Sequence, residues 1–105
     1  MREADFQAQV VQLAGLAGWR TMHVRPAIGR RGGQAAWQTT TSCVGWPDLV
    51  LWSPRRSRVL FRELKTDAGR LTPQQAQVLD ELAAAGADAG VWRPRDFGRI
   101  KEELR

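Results

Sequence analysis

Gly45-Trp46-Pro47-Asp48-Leu49-Val50-Leu51-Trp52 and, after a short polar turn, Arg58-Val59-Leu60-Phe61-Arg62-Glu63-Leu64-Lys65 are the two stretches that decide the fold of this 105-residue chain. Asp48 to Trp52 is nearly continuous apolar sequence, the pattern of a strand buried on both faces. Ser53 to Ser57 contains Pro54 and two arginines and reads as a turn. Arg58 to Lys65 alternates. Strand geometry puts Val59, Phe61, Glu63 and Lys65 on one face, and Leu60, Arg62 and Leu64 on the other. A turn this short joins antiparallel strands. If Trp52 lies roughly opposite Arg58, Asp48 falls opposite Arg62 or Glu63. The carboxylates of Asp48 and Glu63 then meet at one end of the hairpin, with Lys65 projecting from the face of Glu63.

Two close carboxylates in an apolar setting repel each other and are costly to desolvate. A divalent cation would neutralise them, and all-oxygen ligation suits Mg2+ or Mn2+ better than zinc. Such a cation polarises a phosphodiester and lowers the pKa of a bound water. A nearby lysine can orient that water or meet the charge developing at phosphorus. A Glu63–Lys65 or Asp48–Arg62 ion pair serving structure alone explains the spacing about as well. Lys65 is conspicuous because Lys65 and Lys101 are the only lysines among 16 basic residues. An arginine bias of this kind often reflects coding composition, and against it a lysine calls for a reason.

Outward from the hairpin, residues 3 to 17 read as a helix. Phe6, Val10, Leu13 and Ala17 form one apolar stripe, and Gly18 is its stop. Glu3 lies in register with that stripe. It is either an inward-facing carboxylate and further metal ligand or a first-turn acid favoured by the helix dipole. Trp19 to Val24 forms a short strand. Pro26 to Val44 is rich in Gly, Thr, Gln and Arg without a sustained period, and is read as a functional or mobile loop. Beyond Lys65, Thr72-Pro73-Gln74-Gln75 starts a helix, with Thr72 as N-cap and Gln75 completing a capping box. That helix runs through Val78, Leu79 and Leu82 to Gly86. Ala89 to Arg93 is a strand, and Asp96 caps a last helix carrying Phe97, Ile100 and Leu104. The expected order is helix, three strands, helix, strand, helix: an α/β fold around a mixed sheet.

At 105 residues the chain suits one domain, 1–105, and 43% hydrophobic residues suffice for a core. No apolar run approaches the roughly 20 residues that span a bilayer. The start lacks the charged and apolar regions of a signal peptide, and the one cysteine, Cys43, permits no internal disulfide. The expectation is a soluble, cytoplasmic protein. A formal net charge of +5 favours a polyanionic partner, although a generally basic surface accounts for it too.

Together these elements carry a resemblance. Pro47-Asp48 followed by Glu63-Leu64-Lys65 matches the Pro-Asp … Glu-x-Lys signature of the PD-(D/E)xK nuclease superfamily. Gly69-Arg70-Leu71-Thr72-Pro73-Gln74-Gln75 resembles the Gly-Arg-Leu-Ser-x-x-Gln element of virus-type replication-repair nuclease (VRR-NUC) domains. Glu3 matches the acid of that family's first helix, and Gly86 with Val91-Trp92-Arg93-Pro94 resembles its closing segment. The Pro-Asp dipeptide says little alone; four elements in order say much, and the resemblance runs from Glu3 to about Pro94. It implies a restriction-endonuclease-like αβββαβ core with a mixed central sheet flanked by helices.

The resemblance also implies roles. Asp48, Glu63, the backbone carbonyl of Leu64 and Glu3 would hold Mg2+ or Mn2+. Lys65 would position the attacking water, and Gln75 would orient Lys65 or touch the scissile region. The implied function is a Mg2+-dependent, structure-selective DNA endonuclease similar to Holliday-junction resolvases, acting on branched DNA as a homodimer. The alternatives are a non-catalytic nucleic-acid-binding module or a structural subunit on the same fold. The DNA-binding candidates are Arg25, Arg30 and Arg31 around the Gly-rich loop, and Arg62 and Arg70 beside the proposed site. Arg55, Arg56 and Arg58 read as a solvated turn, and His23 as a strand residue. Trp37 and Trp46 suit base stacking, Trp46 equally packing against Pro47. Candidate dimer surfaces are the Pro26–Val44 loop with Ile28 and Trp37, and the C-terminal segment with Phe97, Ile100 and Leu104; these apolar residues also suit the monomer's own core, the simpler reading for Ile100 and Leu104.

Overall fold

A computed structural model describes residues 1–24, 27–31, 34–38 and 43–105, with 27–31 and 34–38 described through their backbone pairing. The main sheet has four strands: β1 (Arg20–His23), β4 (Leu49–Ser53), β5 (Arg58–Leu64) and β6 (Asp88–Trp92), in the order β1-β4-β5-β6. β1 pairs antiparallel with β4, β4 antiparallel with β5, and β5 parallel with β6. Helices α1 (Glu3–Leu16), α2 (Pro73–Ala84) and α3 (Phe97–Glu103) complete this α/β architecture. The mixed sheet and element order agree with a restriction-endonuclease-like core. α2 is the crossover that the parallel β5–β6 pair requires, and it lies along β6.

The segment 26–44, read from sequence as a loop, contains an antiparallel hairpin of β2 (Ala27–Arg31) and β3 (Gln34–Gln38). Ile28 pairs with Trp37 across it, and the hairpin forms its own two-stranded sheet. Alternation is the sequence signature of a strand with one face on a core. The segment shows no such sustained alternation, and Gly29, Gly32 and Gly33 dilute its strand propensity.

The β4–β5 register differs by one residue from the expected one: Trp52 faces Val59, and Ser53 faces Arg58. Ser53 caps a turn of 3-10 helix at Pro54–Arg56, its hydroxyl accepting from Arg56 N, and Ser57 takes the left-handed conformation with φ 53°. The corner therefore begins one residue later than read. Leu49 faces Arg62, so the same register carries Asp48 opposite Glu63.

Alternation then sorts the side chains. Leu49, Leu51, Leu60 and Leu64 pack with Phe6, Val10 and Ala14 of α1, with Trp92, and with Ile100 and Leu104. Each fully buried side chain of this size contributes about 1.5–3 kcal/mol. The stripe on α1 is Phe6, Val10 and Ala14, with Leu13 and Ala17 on its margin. Both helix stops form as read. Gly18 N donates to Gly15 O and Trp19 N to Ala14 O; Gly86 N donates to Ala83 O and Ala87 N to Leu82 O. Gly18 (φ 90°) and Gly86 (φ 95°) thus close their helices in the left-handed conformation that glycine adopts at no steric cost.

One expectation at the C-terminal end is corrected and one alternative is decided. Asp96 stands before α3 but does not cap it; Asp96 Oδ2 accepts instead from Arg93 N at 2.9 Å, closing the Pro94–Asp96 turn. Ile100 and Leu104, weighed as dimer surface but read more simply as core, are 0% and 1% exposed within the chain's own core. Trp19 Nε1 donates to Leu104 O at 2.8 Å, fixing the C-terminus to the start of β1. The other surface considered, the Pro26–Val44 loop with Ile28 and Trp37, has its side chains outside the described residues up to Ser42.

Two of the three turn arginines, Arg56 and Arg58, are structural, while Arg55 is solvent-exposed as read. Arg56 and Arg58 stand over the Trp19 ring, 5.2 and 5.4 Å from its centroid, and such contacts are attractive. Arg56 Nη2 donates to Ala17 O and Arg58 Nη1 to Glu103 O, at 2.9 and 2.7 Å. Among the described residues, no helix is long and apolar enough to cross a membrane.

Candidate active site

Asp48 enters β4 from the turn Gly45-Trp46-Pro47, whose proline is fully buried and whose Trp46 packs edge-on against Phe61, centroids 5.7 Å apart. Packing is therefore the role the geometry gives Trp46. The backbone of Asp48 is held by Val24 N, which donates to its carbonyl at 2.8 Å. Its side chain is held from β5: Leu64 N donates to Asp48 Oδ2 at 3.1 Å. The two middle strands thus lock the first carboxylate, and the buried backbone of Leu64 lies directly beside it.

Glu63 is the second carboxylate and is 1% exposed. Its Oε2 accepts from Gln75 Nε2 at 3.1 Å and lies 3.6 Å from Lys65 Nζ. Its Oε1 is buried without a hydrogen-bond partner among the described residues. Glu3, on the first turn of α1, brings a third carboxylate: the ligating oxygens of Glu3, Asp48 and Glu63 all lie within 4.8 Å of one another. The inward-facing alternative for Glu3 is the one its geometry matches, although most of the residue is exposed.

Gln75 is fixed from both ends of its amide. Its Oε1 accepts from Thr72 N at 2.9 Å and its backbone N donates to Thr72 Oγ1 at 3.1 Å, the capping box read from sequence. With the amide oxygen held on Thr72, the amide nitrogen faces Glu63. Capping and site contact coexist in one side chain.

The electrostatics follow from this crowding. Burial and the neighbouring Asp48 carboxylate push the Glu63 carboxyl from 4.5 up to about 8, against which Lys65 pulls it down. A proton held between Glu63 and Asp48 is the metal-free way to relieve the repulsion. A cation is the other way. Three carboxylates with no nitrogen or sulfur donor form a hard oxygen set, and oxygens this close can converge on one ion at about 2.0–2.6 Å. The buried, partnerless Oε1 of Glu63 is the acceptor that such an ion would satisfy. The residues present therefore fit a divalent metal.

The DNA-binding candidates separate. Arg70 is exposed and makes no hydrogen bond or ion pair among the described residues. Arg25 lies outside the described residues, as do the side chains of Arg30 and Arg31. Arg62 is not available to a nucleic acid: it is 4% exposed and faces away from Glu63, on the side of Leu60 and Leu64. Its guanidinium donates to Asp88 O and Oδ1, both at 2.8 Å, and to Glu103 Oε1 at 2.9 Å, and stacks over Trp92 at 5.0 Å. Burial alone would raise the Asp88 carboxyl, but Arg62, aided by Arg58, holds it below its usual value. Alternation already put Arg62 on the leucine face; only its partners on β6 and α3 were hidden. His23 contacts the side chain of Gln7 across α1 and β1 and takes no part in the carboxylate cluster.

Two supporting residues were not found in the sequence. Arg93 Nη1 donates to Thr66 O and Gly69 O, both at 2.6 Å, holding the loop that follows Lys65 and ends at Arg70. Arg95 N adds a 3.0 Å bond to Asp67 Oδ1 in the same loop. An arginine after a strand announces nothing of this in sequence. The second is Gly45, whose backbone lies against the Gln74–Gln75 peptide at the start of α2.

A model of the VRR-NUC domain matches residues 8–96 of the chain. No curated protein matches it. Asp48, Glu63, Lys65 and Gln75 fall inside the matched span, while Glu3 lies before it and joins the group through the fold.

Proposed function

The chain belongs to the VRR-NUC domain family, whose function is of nuclease type, and from that premise we propose a DNA endonuclease that hydrolyses phosphodiester bonds with Mg2+ or Mn2+. One observation carries the reading: a buried glutamate with a partnerless oxygen stands within one ion's reach of two further carboxylates, with a lysine at its side. A structural ion pair explains Glu63 and Lys65 but gives no reason to bring Glu3 and Asp48 to the same point. Nor does DNA binding alone, since three carboxylates repel a polyanion.

In this reading Glu3, Asp48 and Glu63 hold the metal, with the Leu64 carbonyl as a further ligand. When bound, the metal supplies positive charge to the scissile phosphate and lowers the pKa of water. Glu63 must give up its proton to bind, and Lys65 and the Gln75 amide favour that loss by stabilising the anion. Lys65, half-buried beside Glu63, orients the attacking water or meets the charge developing at phosphorus. Arg70, exposed on the adjoining loop, pairs with backbone phosphate. The preferred substrate is branched DNA, as the resemblance to compact stand-alone viral members implies. Symmetric cutting of a four-way junction needs two related sites, which a two-fold dimer supplies.

The test incubates pure protein with linear duplex, flap, splayed-arm and four-way-junction DNA, with EDTA, Mg2+ or Mn2+. Metal-dependent cleavage, absent in folded Asp48→Asn and Lys65→Ala proteins, is expected. Near-normal cleavage by folded Asp48→Asn protein refutes the metal site. DNA binding without cleavage under any metal leaves a binding module in place of an enzyme. Light scattering with and without junction DNA tests the dimer; a monomer under both conditions that nicks one strand refutes the resolvase reading.

A further inference from the structure

The geometry points to Gly45 as the positioning residue that seats the first turn of α2 against the acidic cluster, so that Gln75 reaches Glu63. The inference rests on the metal-site reading for its consequence in turnover, but its geometric core stands independently. Gly45 has φ 93°, a conformation favouring glycine. A Cβ placed there would lie 2.6 Å from Gln74 C, 2.7 Å from Gln74 O and 2.8 Å from Gln75 N. All three atoms belong to the Gln74–Gln75 peptide. Backbone in a capped helical turn cannot rotate aside as a flexible side chain can. Any side chain at residue 45 must therefore part the first turn of α2 from the Gly45–Asp48 segment.

The turn so displaced is the one whose orientation is already spent. Thr72 N holds Gln75 Oε1, so Gln75 Nε2 can meet Glu63 Oε2 at 3.1 Å only while the whole turn stays close. On the other side, Gly45 is three residues from Asp48 through the buried Pro47. The absent side chain thus sets the spacing between the strand that carries one carboxylate and the helix that supports the other.

The fold contains its own control. Gly86, at the opposite end of α2, has nearly the same φ of 95°, but a Cβ there meets nothing within 4 Å among the described residues. G45A and G86A therefore share the backbone cost, and only G45A adds the collision. In metal-free protein, the side-chain amide 15N–1H2 resonances of Gln75 report the contact with Glu63 directly. The expected result is a Gln75 signal distinct from free glutamine amides in the parent and in G86A, and shifted to the free-amide position in G45A. In a cleavage assay at a temperature where all variants are folded, G45A loses turnover on the order of 100-fold, as small misplacements of catalytic groups do. G86A keeps parental turnover. Q75A and G45A/Q75A are equally slow, because Gly45 acts through Gln75.

An unshifted Gln75 amide in folded G45A, or equal turnover losses in G45A and G86A, overturns the inference. So does full additivity of G45A and Q75A. If G45A does not fold, the parent decides: a nuclear Overhauser contact between Gly45 Hα and the Gln75 backbone amide is expected, and its absence refutes the close approach. Loss of the nuclease reading appears differently, as no cleavage by the parent with the amide signature intact.

Discussion

Replacing Glu63 with glutamine should stabilise the metal-free protein, by an amount that grows with pH. Unfolded, Glu63 titrates near 4.5; folded, burial and Asp48 raise it to about 8. A carboxyl raised by folding supports the fold fully below the lower value and withdraws that support as pH rises through the higher one. Between the two, the folded chain holds a proton that the unfolded chain has released. Each pH unit in that window therefore costs the parent about 1.4 kcal/mol. From 4.5 to pH 7 the accumulated cost is on the order of 3 kcal/mol, a large share of the 5–15 kcal/mol typical of a domain. Glutamine is uncharged at every pH, keeps an acceptor for Gln75 Nε2 and offers an N–H toward Asp48. The assay is urea denaturation of parent and E63Q in EDTA from pH 5 to 8. The two should be nearly equal at pH 5, with E63Q ahead by about 3 kcal/mol at pH 7, or roughly 10–25 °C in melting temperature for a chain of this size. Mg2+ should then stabilise the parent by replacing the proton, and leave E63Q nearly unmoved. A stability difference that stays flat from pH 5 to 8 refutes the argument, because it removes the proton uptake from which the magnitude comes.

Arg62→Met should cost on the order of 2 kcal/mol of stability, because it removes the buried guanidinium that clasps Asp88 and Glu103, while Arg99 and Trp92 Nε1 still hold the Glu103 carboxylate; chemical denaturation measures it, and no measurable loss would show that the clasp is ornamental. Arg70→Ala should leave the melting temperature unchanged and weaken DNA binding, reducing the salt slope of log K by about 1 in a fluorescence-anisotropy titration. Glu3→Gln should weaken Mn2+ binding in a calorimetric titration while changing stability by under about 1 kcal/mol, the scale of a helix-dipole contact. If it moves only the melting temperature, Glu3 is a helix-end acid and nothing more.

Local rules made much of this protein legible in advance. Strand alternation put Glu63 and Lys65 on one face, and the short connection forced an antiparallel hairpin that brought Asp48 to Glu63. Thr72, Pro73 and Gln75 declared a capped helix start, and Gly18 and Gly86 its counterpart stops. Each is a short-range constraint, decided by neighbours in sequence, so residue order alone specifies it. What needed the tertiary structure lay in contacts between distant segments. The local hairpin at residues 27–38 was the exception, read as a loop because its sequence carries no sustained period. Arg62 looked like a phosphate ligand until β6 and α3 supplied Asp88 and Glu103, since a charge cannot name its partner from within its own strand. Glu3 taken alone read more simply as a helix-end acid; only the placing of α1 across the sheet put its carboxylate beside the other two. Gly45 was one more glycine in a turn until the first turn of α2 came to rest where its side chain would have been. Sequence determines what each segment is able to be; the packing of distant segments determines which of those capacities is used, because burial and partner geometry exist only once the chain has closed on itself.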